Sequence, residues 1–279
     1  MKACLIVCLA AVIPLLQHGA LLKRFLPEFQ EFSSVTERPT GQAARKLWEQ
    51  AIGAKGGRDR LLSIKSMVIS SRAEYRTHLG KRNSWYQEEL LVFPYKQWLW
   101  SDMRPNVFGL RVEMYDYKGR RFYILAPDDP DNEIHHLADY KKWEESTLLT
   151  TQVLYFMETR WAKPVPIAVS RGDVRKQPVD IVQTQVNGKR MDFALDTTTH
   201  LPVRFIVYGM VNGIESPTVV TDLSDYVEVN GIKVPQKVIP EKGSTFSVKI
   251  QVDVDYNEEI FLKPTTIEAG PEAWRPKMK

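Results

Sequence analysis

The tripeptide Val-Asn-Gly occurs three times in the second half of the chain, at Val186-Asn187-Gly188, Val211-Asn212-Gly213 and Val229-Asn230-Gly231. Asn-Gly between alternating apolar and polar residues is a strong hairpin signal, because a type I′ turn needs positive φ at both central positions. The copies are unequally spaced, so they are not units of a regular repeat. They predict strand reversals, and with them a chain that folds back and forth through short connections. Parallel pairing would need a long crossover between successive strands, for which these gaps leave no room.

Period-two alternation extends the pattern. Met67, Ile69, Ser71, Ala73 and Tyr75 alternate with Val68, Ser70, Arg72 and Glu74, and Phe246, Val248, Ile250, Val252 and Val254 alternate with Ser247, Lys249, Gln251 and Asp253. Further strands are expected at 84–93, 95–103, 110–117, 121–126, 178–186, 189–196, 201–210, 217–228 and 232–239. Two stretches break the rhythm. A helix opens at Thr40 or Gly41, with Ala44, Leu47, Trp48 and Ile52 on one face, and Gly56-Gly57 stops it before a short turn around Leu61, Leu62 and Ile64. Residues 133–161 form a helical insertion whose apolar stripe is Leu148, Leu149, Gln152, Val153, Phe156 and Met157.

The ends carry a different message. Residues 1–20 combine Lys2, an apolar run from Ala3 to Leu16 and small residues near Ala20, as a secretory signal peptide does. Export to the periplasm is expected, with the mature chain starting near Leu21; an uncleaved leader anchored in the inner membrane is the alternative. Residues 21–40 form an arm, 41–265 one domain, and 266–279 a C-terminal tail. Cys4 and Cys8 both lie in the leader, so a processed chain has no disulfide and no thiolate metal site. A net charge of +4 without a concentrated basic run argues against nucleic acid as a partner.

Catalytic patterns are scarce. There is no Gly-x-Ser-x-Gly elbow, and Gly53-x-x-Gly56-Gly57 lacks the Lys-Ser/Thr of a phosphate loop. His135-His136 beside Asp128, Asp129, Asp131 and Glu133 resembles a metal cluster, but adjacent helical residues point about 100° apart and acidic residues are ordinary before a helix. No enzyme, cofactor or metal is expected.

Three stretches resemble the LolA/LolB superfamily of periplasmic lipoprotein carriers: WEQAIGAKGGRDRLLSIKSMVISS at 48–71, LDTTTHLPVRFIVYG at 195–209 and DYVEVNGIKVPQKV at 225–238. The resemblance covers about 42–262. It implies a mainly β fold with α, a strongly curved antiparallel sheet forming an open half-barrel, with helices covering a concave apolar face able to hold acyl chains. The chain is longer than a typical carrier of that superfamily.

The aromatic residues supply candidate lining for such a cavity. Trp98 and Trp100 share a face of one strand and Leu91 and Phe93 a face of the strand before it, while Leu149, Val153, Phe156 and Met157 share a helical stripe expected opposite the tryptophans. The same residues would serve equally as plain core. Two readings follow. In the first, a non-enzymatic envelope protein holds a lipid or lipoprotein acyl chain under the helical insertion. In the second, the scaffold binds an envelope protein, or senses stress, without a lipid. An apolar cavity opening past 146–161 favours the first, and a filled core with an exposed edge strand favours the second.

Overall fold

The computed structural model describes residues 41–76, 82–104, 109–116, 118–119, 121–125, 148–160, 162–241, 244–262 and 266–276. The leader, the 21–40 arm, His78, the His135-His136 cluster and 133–147 of the helical insertion lie outside the described residues.

All three Val-Asn-Gly copies are hairpin turns. Asn187, Asn212 and Asn230 have φ of 49°, 53° and 47°, and the following glycines have φ of 74°, 80° and 79°. This is the double positive-φ signature the tripeptide predicts.

The turns join strands of one sheet. The strands are β1 (Ser66–Arg76), β2 (Arg82–Val92), β3 (Lys96–Asp102), β4 (Leu110–Asp116), β5 (Arg121–Leu125), β6 (Val165–Val174), β7 (Gln177–Val186), β8 (Lys189–Asp196), β9 (Pro202–Val211), β10 (Ile214–Val229), β11 (Ile232–Pro240) and β12 (Phe246–Val252). Their order is β5-β4-β3-β2-β1-β12-β11-β10-β9-β8-β7-β6, and β5 and β6 stand at opposite ends of it. The sheet is open and antiparallel, the class expected from the short connections. Strand β6 is absent from the sequence reading. Pro164, Pro166 and Gly172 punctuate it, a bulge falls between Pro166 and Ala168, and it lies at the sheet edge, where proline is tolerated.

The chain divides into two compact units. The first contains α1 (Gly41–Ala54), β6 to β9 and the first part of β10. Ala44, Trp48, Ala51 and Ile52 are the buried side of α1. Trp48 meets Phe193 edge-on at 5.4 Å, and Phe193 stacks obliquely on Phe205 at 4.8 Å. Register accounts for this core, since Val182, Phe193 and Phe205 are successive cross-strand partners.

The second unit contains α2 (Arg58–Ser63), β1 to β5, most of β11, β12, a helix over 148–156 and the C-terminal segment. Gly56 and Gly57 have φ of 120° and 86°. A Cβ on Gly56 would overlap the carbonyl oxygen of Gly231, so the Gly-Gly stop also lets the chain pass against the third hairpin turn.

Candidate functional site

Cross-strand register assigns the predicted lining residues to faces. In β2 to β4, Leu90 pairs with Trp98 and Trp98 with Met114, while Glu88 pairs with Trp100 and Trp100 with Val112. Cross-strand partners point to the same side of a sheet and successive residues to opposite sides. Leu91 is therefore on the face away from Trp98 and Trp100.

The tryptophan face is covered from an unexpected direction. Trp98 and Trp100 belong to a buried cluster with Val68, Leu90, Val112, Met114, Tyr123, Ile260, Phe261 and Trp274. Residues 258–261 and 267–269 form single 3-10 turns on this face. Polar contacts fasten them: Tyr123 OH donates to the Ile260 carbonyl at 2.8 Å, Trp100 Nε1 to the Ile267 carbonyl at 3.3 Å, and Trp274 Nε1 to Glu88 Oε1 at 3.2 Å. The segment read as a tail thus contributes core, and the expectation that 149–157 face Trp98 and Trp100 is corrected. The parity of β2 and β3 against the helix depends on register, which alternation alone does not reveal.

The helical residues gather elsewhere. Leu149, Val153, Phe156 and Met157 are all buried, and Phe156 meets Phe93 edge-on at 5.3 Å. The expected single stripe is not what forms, however. Every residue from 148 to 156 is buried, Thr151 and Gln152 included. A helix apolar or enclosed on all sides belongs to an interior rather than to a surface flap.

Two arginines fix this helix to α2. Arg58 Nη2 lies 2.7 Å from Glu158 Oε1. Arg160 Nη2 donates to the carbonyls of Leu61 at 3.1 Å and Ile64 at 2.6 Å, at the end of α2 where a cation suits the helix dipole. Its guanidinium lies 4.1 Å from the Phe93 ring centroid. Burial lowers the Arg160 pKa to about 10, which leaves it charged at neutral pH. Nothing in the spacing of Arg58, Glu158 and Arg160 announced these pairings.

Beside Leu91 the same face turns polar. Gln97, the partner of Leu91, donates from Nε2 to Glu89 Oε1 at 2.7 Å, and Tyr115 OH donates to Glu113 Oε2 at 2.5 Å. Arg111 Nε lies 2.7 Å from Glu113 Oε1. All five of these polar residues are buried. An acyl chain laid along this face would have to desolvate or displace charged groups, a heavy cost.

An open cleft of about 430 Å³ lies on the tryptophan face, lined by Ser84, Tyr86, Asp102 and Arg104. Tyr86 and Asp102 are cross-strand partners. Arg104 grips Asp102 through Nε to Oδ1 at 3.0 Å and Nη2 to Oδ2 at 2.7 Å, and this hydrogen-bonded pair holds the Asp102 carboxyl below its usual range. Burial and the hydrogen bond donated to Glu88 raise the Tyr86 hydroxyl to about 12. It stays a protonated donor, with no proton acceptor poised to activate it for chemistry. Among the described residues no three His, Cys, Asp or Glu side chains gather closely enough to ligate a metal ion. No described helix is long and apolar enough to cross a membrane.

No family model matches the chain, and no curated protein matches it. Solved structures do. A LolA superfamily protein from Nitrosomonas europaea is similar over 79% of this chain and 97% of its own, at 11% identity and a TM-score of 0.50. A putative outer membrane lipoprotein-sorting protein domain from Vibrio parahaemolyticus covers 80% of this chain and 97% of its own, at 8% identity and a TM-score of 0.45. A DUF1329 family protein from Desulfovibrio piger covers 78% and 96%, at 13% identity and a TM-score of 0.40. The chain has a LolA-like fold.

Proposed function

We propose that the protein is a non-enzymatic binding module of the cell envelope, and that it binds a polar segment of another envelope protein on its outer surface. The filled interior carries this reading. Phe156, Val153 and Met157 have no exposed surface, Trp98 and Trp100 are packed under the C-terminal segment, and the face beside Leu91 is occupied by ion pairs. The cleft at Ser84, Tyr86, Asp102 and Arg104 offers instead an exposed guanidinium, a carboxylate and hydroxyls, groups that hydrogen-bond a peptide backbone and its polar side chains. A photo-crosslinker placed at Ser84 in exporting cells should trap a discrete envelope protein, and Arg104→Glu should abolish that adduct. Failure to trap any protein at Ser84, with the fold intact, would reject the reading.

A second reading keeps the lipid or lipoprotein acyl chain as ligand. It is favoured by the LolA-like fold and by the resemblance to lipoprotein carriers. In that case the chain would enter between Leu91, Phe93, Leu149, Val153, Phe156 and Met157 once the 148–160 segment lifts from α2. Mass spectrometry of lipids that co-purify with the protein separates the two.

A further inference from the structure

Of the large apolar side chains that stand exposed among the described residues, five lie in the first unit: Val165, Ile167, Met210, Val211 and Ile214. They are not scattered. Val211 and Ile214 are cross-strand partners astride the Asn212-Gly213 turn, and Met210 is the next residue along β9. Val165 pairs with Gln185, at the β7 end that leads into the Asn187-Gly188 turn. Antiparallel succession puts that turn, the start of β6 and the Asn212-Gly213 turn at the same end of the strands. The ladder between β8 and β9 reaches only Met191 and Val207, whereas the ladder between β9 and β10 continues to Val211 and Ile214. The last residues of the β9–β10 ribbon therefore extend past their β8 partner.

We propose that this ribbon tip is a membrane contact, seated at the headgroup level of a phospholipid bilayer. The tip is apolar on both of its faces: Val211 and Ile214 point to one side and Met210 to the other, with exposures of 44%, 69% and 70%. A protein groove receives one face of a strand, and the other can remain polar. A bilayer surrounds whatever enters it, which suits a ribbon bare on both faces. The polar backbone of the Asn212-Gly213 turn limits entry to the interface, because unpaired peptide groups are not tolerated in hydrocarbon. Lys163 and Lys189, both exposed at this end, fit a rim facing anionic headgroups. The contact lies apart from the cleft and from the helix over 148–156, and does not depend on what either binds.

Sedimentation of the full chain with vesicles of phosphatidylcholine plus phosphatidylglycerol tests it. The apolar residues 1–20 are present in every protein compared, so differences report the tip. The double variant M210S/I214S should partition onto vesicles about tenfold more weakly, as expected for withdrawing two large apolar side chains from the interface. Leu262→Ser, which removes an exposed apolar side chain elsewhere, should bind as the wild type does. Unchanged melting temperatures confirm that both variants fold. Equal partitioning of wild type and double variant would overturn the proposal. So would a wild type that ignores vesicles but self-associates through the tip.

Discussion

The Arg160 guanidinium stands over the Phe93 ring at 4.1 Å and over the Phe156 ring at 5.4 Å, while its Nη2 closes the carbonyl end of α2. One cation therefore joins the helix over 148–156, the turn after β2, and α2. Replacing it with methionine leaves the Leu61 and Ile64 carbonyls without their donor and removes the cation–π contact. Arg160→Met should cost about 2–4 kcal/mol in urea unfolding. Arg160→Lys should recover only part, because an ammonium cannot stack on the ring and span two carbonyls with a planar fork.

The Asp-x-x-Thr-x-Leu-Pro stretch owes its shape to one carboxylate. Asp196 Oδ1 accepts from the Thr199 backbone N–H at 2.5 Å, the Thr199 hydroxyl at 2.8 Å and the Thr198 N–H at 3.0 Å. The Thr199 backbone bond, helped by the others, holds this carboxyl below its usual range. A depressed folded pKa contributes stability that is present above the unfolded value, near pH 4, and lost as pH falls through the folded value. Asp196→Ala should thus be less stable than wild type at neutral pH by about 1–2 kcal/mol, and the gap should narrow in acid. Chemical denaturation at pH 7 and pH 3 measures it; a gap that widens in acid would contradict the assignment.

Trp274 is buried and donates to Glu88 Oε1, whose partner oxygen accepts from Tyr86. Trp274→Ala should cost about 3–5 kcal/mol, with near-ultraviolet circular dichroism reporting the loosened tryptophan cluster. A C-terminal segment that merely trails the domain would lose nothing.

Local chemistry made much of this fold legible. Asn-Gly turns specify their own φ values, and the alternation in β1 and β12 is the alternation of a sheet with one drier face. The Gly56-Gly57 stop was also readable, although its contact with Gly231 was not. Three features depended on information that alternation lacks. Strand β6 carries exposed Val165 and Ile167 and an edge proline, so its pattern is that of a strand with little to bury. The pairing of Trp98 with Leu90 rather than Leu91 is a matter of register, and one residue of slip reverses the face. Ile260, Phe261 and Trp274 are too widely separated in sequence to show a period, and only packing reveals them as core. Candidate lining chosen by residue type therefore divided between two faces. The polar cleft, made of strand-end residues with no shared motif, was not legible at all.

The most direct test of a filled interior is Phe156→Ala, read by unfolding free energy alongside uptake of a fluorescent fatty acid by the wild type. Phe156 is fully buried against Phe93. The account predicts a loss of about 3–5 kcal/mol, the cost of a cavity in a permanent core, and no saturable uptake. A much smaller loss together with saturable uptake by the wild type, weakened by Phe156→Ser, would contradict it and make the protein an acyl-chain carrier.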